Sequence, residues 1–196
     1  MPAELPVVEG PRRERADAAR NREALLKAAR RLLDRCGPEG LTMEAVASEA
    51  GVGKGTLFRR FGDRASLFHA LIDDDERSLQ EAFIRGPAPL GPGAPARERL
   101  IAFGHAMIEL IEVHGALLVE STPANRALRY GHPVYVAYRT HVSALLDEIV
   151  GAERAPYLAD VLLGALDPDF VLYQRHVLGL AQDEVRDGWS QLIESL

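Results

Sequence analysis

Residues 42–61, Thr-Met-Glu-Ala-Val-Ala-Ser-Glu-Ala-Gly-Val-Gly-Lys-Gly-Thr-Leu-Phe-Arg-Arg-Phe, hold two short helical patterns hinged at one glycine. This run restricts the fold more than any other part of the chain. Thr42 is an N-cap residue for the first helix, which buries Val46 and Ala50. Gly51 supplies the left-handed turn that ends it. Gly53 starts the second helix, with Val52 and Leu57 at the hydrophobic-staple positions. Ala47 is small enough for the two helices to cross closely. Val46, Val52, Leu57 and Phe61 are spaced to lock the pair onto flanking helices, which is the layout of a helix-turn-helix.

The flanks agree. Leu25, Ala29, Leu32 and Cys36, widened by Leu26 and Leu33, predict an amphipathic helix over residues 17–36, stopped by Gly37 and Pro38. Asp63 caps a fourth helix with Leu67, Phe68, Leu71, Ile72, Leu79 and Phe83 on its buried side. Residues 85–96 hold four prolines and three glycines and read as a loop between two helical units. Residues 97–119 are apolar nearly all round and belong in the middle of a bundle. Prolines 123, 133, 156 and 168 divide the rest into helices over 133–150, 156–166, 168–178 and 182–195. No alternating strand pattern appears, so the expected fold is all-α. Residues 1–16 form a flexible arm, 17–72 a three-helix domain and 73–196 a larger helical bundle.

At 100° per residue, a second helix that turns Leu57 inward points Gly55 and Arg59 outward, with Thr56 and Phe58 beside them and Arg60 on the other edge. Lys54 lies at the end where free N–H groups favour phosphate. Such a face suits a major groove: Gly55 allows close approach, Arg59 can bond guanine, and Thr56 can meet a phosphate or a thymine methyl. Thr42 and Arg64, each in the first turn of a helix or just before it, complete the candidate DNA-binding set, Arg64 toward a phosphate. Charge points the same way. Residues 12–72 carry 13 basic and 8 acidic side chains, a net of +5, within a chain of net charge −6. Arg12, Arg13 and Arg15 form either a minor-groove arm or a basic tail.

The run from Ala50 to Leu67, Ala-Gly-Val-Gly-Lys-Gly-Thr-Leu-Phe-Arg-Arg-Phe-Gly-Asp-Arg-Ala-Ser-Leu, resembles the DNA-binding domain of the TetR family of bacterial transcriptional regulators almost position by position. Phe58 stands where the family most often has tyrosine, and Arg64 where it most often has lysine. The resemblance implies an all-helical homodimer that binds a pseudo-palindromic operator on double-stranded DNA, most often as a repressor. It also implies release by a small organic effector held in the C-terminal domain. In the family that pocket lies between the fourth helix and the equivalents of residues 97–119 and 133–150. Here those segments offer Phe103, Met107, Tyr138 and His141, which either touch a mid-sized, largely hydrophobic molecule or fill the core. The family's final helices dimerise, so the stripe Trp189, Leu192, Ile193 and Leu196 is either an interface or core.

Other readings are weaker. Gly51-Val-Gly-Lys-Gly-Thr56 lacks the spacing and the preceding strand of a phosphate-binding loop. Asp73-Asp74-Asp75-Glu76 reads as a solvated helix surface, and no histidine pair has zinc spacing, so neither metal nor cofactor is expected. No catalytic constellation is visible, and an enzyme is not expected. The alternatives are a helical small-molecule-binding protein or enzyme that does not use its reader, or a transcriptional activator. One cysteine excludes an internal disulfide. Absence of a signal-peptide core and of an uninterrupted membrane-length apolar run predicts a cytoplasmic protein with no membrane partner.

Overall fold

The computed structural model describes residues 11–122 and 126–196, with side chains described for residues 20–122 and 128–196. Ten helices follow one another among the described residues: α1 (Pro11–Gly40), α2 (Met43–Glu49), α3 (Lys54–Phe61), α4 (Arg64–Arg85), α5 (Ala96–Ser121), α6 (Arg126–Tyr130), α7 (Pro133–Val150), α8 (Ala155–Ala165), α9 (Pro168–His176) and α10 (Gln182–Glu194). No strand forms there, only an isolated bridge between Pro92 and Ala94. The chain divides into two compact units, one ending at Leu71 and the other starting at Ile72.

In the first unit α1 packs on α2, and α2 on α3. Leu25, Leu26, Ala28, Ala29 and Leu32 of α1 are buried, as are Val46, Ala47, Leu57, Phe61, Leu67 and Phe68. Three details depart from expectation. Helical structure begins at Pro11 rather than in the region of residue 17. The first ten residues of the expected arm, and the side chains of Arg12, Arg13 and Arg15, lie outside the described part. Cys36, expected in the buried stripe, is exposed, and its thiol donates to the Leu32 carbonyl over 3.0 Å. The helix breaks at Gly37, whose φ of 67° only glycine adopts cheaply; Pro38–Gly40 then form a further turn.

The second unit is built around α5, which packs against α7, α9 and α10. Its mean hydropathy and its 26 residues would allow it to span a membrane, but half of its apolar stretch is covered by neighbouring helices. Its polar positions, Glu109, Glu112, His105 and His114, each find a partner on α4, α9 or α10. It is the central helix of a bundle. Gly104 fixes how closely α10 approaches, since a Cβ there would sit 2.0 Å from the Trp189 indole. The indole N–H donates to the Leu100 carbonyl over 3.2 Å, so the ring is buried with its polar atom satisfied. Asp167 caps α9 by accepting from the Asp169 N–H at 3.0 Å.

Candidate functional site

The helix-turn-helix is assembled from local rules. The Thr42 hydroxyl accepts the Ala45 N–H at 3.1 Å and so caps α2. Gly51 takes φ 68° and turns the chain. Leu57 and Phe61 are buried, and their burial sets the rotation of α3. Gly55, Phe58, Arg59 and Arg60 consequently face solvent with Lys54 at the N-terminal end, and Thr56 is half-buried. A Cβ at Gly55 would meet nothing within 4 Å, so glycine is not demanded by packing inside the protein. Phe58 is 45% exposed, an apolar ring presented to solvent beside two arginines.

The charged residues of this face are arranged rather than loose. Arg59 Nε donates to the Gly55 carbonyl over 3.2 Å, and its guanidinium lies 3.4 Å from the Thr56 hydroxyl. Thr56, Arg59 and Arg60 line a shallow groove with Asn21 and Leu25 of α1. Lys54 Nζ is 3.0 Å from a Glu44 carboxylate oxygen, and that hydrogen bond holds the Glu44 carboxyl below its ordinary range. Arg31 and Arg35 both reach Glu49, at 3.1 and 2.9 Å, joining α1 to α2. Asn21 and Glu44 were not singled out from the sequence. Only the packing of α1 on α3, and of α2 beside Lys54, brings them to this face.

Arg64 has partners within the first unit. Its guanidinium donates to the Leu41 carbonyl at 3.0 Å and the Pro38 carbonyl at 2.7 Å, and lies 4.5 Å from the centre of the Phe68 ring. The Pro38 carbonyl also accepts the Leu41 N–H at 3.1 Å, so Arg64 adds a second donor to that turn. Arg64 therefore ties the start of α4 to the segment that joins α1 and α2.

In the second unit the four candidate effector residues come together. Phe103 is fully buried; its ring meets those of Tyr138 and Phe83 edge-on, with centroids 5.7 and 5.8 Å apart. His141 stacks on Phe83 at 4.2 Å. Met107 is buried in the same cluster. The polar atoms here are not satisfied: the Tyr138 hydroxyl and His141 Nε2 are buried with no hydrogen-bond partner among the described residues. Burial pushes the Tyr138 hydroxyl well above its ordinary range and lowers His141 to about 4. Glu76 corrects the sequence reading. Asp74 and Asp75 are exposed and Asp73 is half-buried, but Glu76 is only 7% exposed. Burial, helped by the Asp73 charge, pushes its carboxyl up to about 7. The signal was present in the spacing, because Ile72, Glu76, Leu79 and Phe83 form one buried stripe of α4.

A surface cleft of about 280 Å³ lies nearby between α4 and α5, lined by Leu79, Ala106, Leu110 and Val113 with Asp75, Glu109 and His114 at its edge. Trp189 and Ile193 are taken up by their own bundle core, while Leu192 is 42% exposed. No cluster of potential metal ligands occurs among the described residues.

A family model for bacterial regulatory proteins of the tetR family matches residues 25–71. An HTH-type transcriptional regulator of Staphylococcus aureus (strain USA300) is 39% identical over 61 residues, 31% of this chain. The match spans 33% of that relative, so the likeness to curated proteins covers about a third of their length. Among solved structures, a transcriptional regulator from Rhodococcus sp. Rha1 aligns with a TM-score of 0.62 at 22% identity, covering 89% of this chain and 94% of that one. The fatty acid degradation regulator FadR from Bacillus halodurans aligns with a TM-score of 0.62 at 14% identity, covering 95% and 96%. At these identities the structural likeness is one of fold: a helical C-terminal unit follows the same kind of reader. In its reader, residues 25–71, the chain is similar to the TetR family of bacterial regulatory proteins.

Proposed function

We propose that the protein is a sequence-specific DNA-binding transcriptional regulator, a homodimeric repressor in the cytoplasm that leaves its operator when a small organic molecule enters the second unit. One observation carries the DNA reading: burial of Leu57 and Phe61 turns Lys54, Gly55, Phe58, Arg59 and Arg60 outward on one short helix. Arg59 is the base-reading residue, and Lys54, Thr56 and Arg60 meet phosphates. Phe58 lacks the hydroxyl that a tyrosine would give a phosphate and offers an apolar contact to a thymine methyl. Thr42 acts through its cap on α2.

The dimer reading is supported by apolar side chains exposed on α8 and α9: Tyr157 and Val161 on the first, Phe170 and Tyr173 on the second. An interface there would cover them. The effector reading is supported by the unpaired polar atoms of Tyr138 and His141 within an aromatic cluster. Fluorescence anisotropy with duplexes from the region upstream of the gene, set against random duplex at several salt concentrations, tests the reading. Selective binding to an inverted repeat is expected; equal affinity for every duplex, or none, would sink it.

A further inference from the structure

The proposed effector site holds a buried carboxylate without a counter-ion among the described residues, and that asymmetry says what should enter it. Glu76 sits on the buried stripe of α4, 7% exposed. Among the described residues its charge is influenced by burial and by Asp73, another anion, and by no cation. Its field reaches the Tyr138 hydroxyl, which is itself buried and unpaired. Around them stand the rings of Phe83, Phe103 and Tyr138, with centroids 5.7 to 6.1 Å apart, all edge-on to one another. His141 Nε2 is buried and open, and its ring is held neutral by burial and by nearby Arg99. Arg99 is itself anchored, donating to the Phe83 carbonyl over 3.2 Å.

A buried carboxylate is costly unless it is paired. Aromatic faces attract cations, and a neutral imidazole nitrogen and a phenol oxygen both accept hydrogen bonds from an ammonium. A carboxylate ligand would meet Glu76 and Asp73 as like charges. Resting on the reading of the second unit as an effector site, we propose that its ligand is a hydrophobic amine, bound with its ammonium against Glu76 and its apolar body among Phe83, Phe103 and Met107.

Protonation then follows the ligand. The groups facing Glu76 are Asp73 on its own helix and Tyr138 and His141 on α7, with Arg99 of α5 beyond His141. Below the Glu76 pKa of about 7 the free site holds a proton that the ammonium must displace. Amine affinity therefore rises about tenfold per pH unit on the acid side and levels off above neutrality, while a neutral ligand shows no such slope.

The probes are naphthylmethylamine, naphthylmethanol and naphthoate, titrated calorimetrically into the full chain and, in parallel, into its complex with operator DNA. Expected are amine binding at least about tenfold tighter than the alcohol, a loss of that margin in Glu76→Gln, and a pH slope confined to the amine with the wild-type site. Glu76→Gln removes a buried charge and keeps the shape, so it should fold. Were it to aggregate, the wild-type pH profiles of amine and alcohol carry the same test. Alcohol or carboxylate binding as tightly as the amine, no binding by any probe, or an amine indifferent to Glu76→Gln would each overturn the proposal. Glu76-dependent amine binding that leaves the DNA complex intact would keep the ligand class and overturn effector release. Release by the alcohol or the acid alone would do the reverse.

Discussion

Two arginines that follow the turn illustrate what a side chain's address does not reveal. Arg59 is placed by helix rotation, which Leu57 fixes, and its outward direction is readable from spacing alone. Arg64 occupies an address that suggests phosphate, yet it bonds the Pro38 and Leu41 carbonyls, because the break at Gly37 leaves those acceptors beside it. The two should separate on mutation. Arg59→Ala is expected to cost about 1–3 kcal/mol on the operator and to relax preference at one base pair, read by anisotropy on a panel of single-base variants. Arg64→Met should leave the salt slope of binding unchanged while lowering thermal stability, the reverse of a phosphate contact. Glu76 and His141 give a pH signature at the same scale. The folded chain refuses His141 a proton until about pH 4, whereas the unfolded chain takes one near 6.5, so this group lowers stability as pH falls through that window. Glu76, raised from 4.5 to about 7, keeps a proton the unfolded chain releases, so it lowers stability as pH rises from 4.5 to 7. His141→Phe should therefore gain on the wild type progressively as pH drops from 6.5 toward 4, in urea titrations at stepped pH.

Helices were legible wherever one face alternates cleanly with another. The breaks at Gly51 and Pro168 and the apolar character of α5 all follow from residue spacing. The short α6 did not, because Arg126–Tyr130 is too brief to show a period. Glu76 is obscured for a different reason: its three acidic neighbours suggest a solvated surface, although its spacing from Ile72, Leu79 and Phe83 puts it on their buried stripe. The closeness of α5 and α10 was equally hidden. It depends on Gly104, an unremarkable glycine in sequence, lying against Trp189. Gly104→Ala should force these helices apart and cost about 1–3 kcal/mol by thermal unfolding, despite alanine's better helix propensity. Phe103→Ala empties space in a cluster with no exposure, and about 3–5 kcal/mol is expected from the same measurement.

For the molecule as a whole, one reader of eight helical residues presents few contacts, and high affinity requires two acting together. Sedimentation at micromolar concentration should give a dimer, and Tyr157→Asp combined with Val161→Asp should give a monomer with its helical content unchanged. The pairing of Lys54 with Glu44 has a further effect, on the search for a site. A phosphate that engages Lys54 must displace a carboxylate already there, and that carboxylate stays close to the DNA. If Lys54 meets a phosphate as proposed, each sliding encounter with random sequence should carry a small electrostatic drag toward dissociation, which the added base contacts of a true operator overcome. On the proposed DNA-binding reading, residence on the wrong DNA should be shortened, and the acidic residue that weakens binding should quicken the scan of a genome.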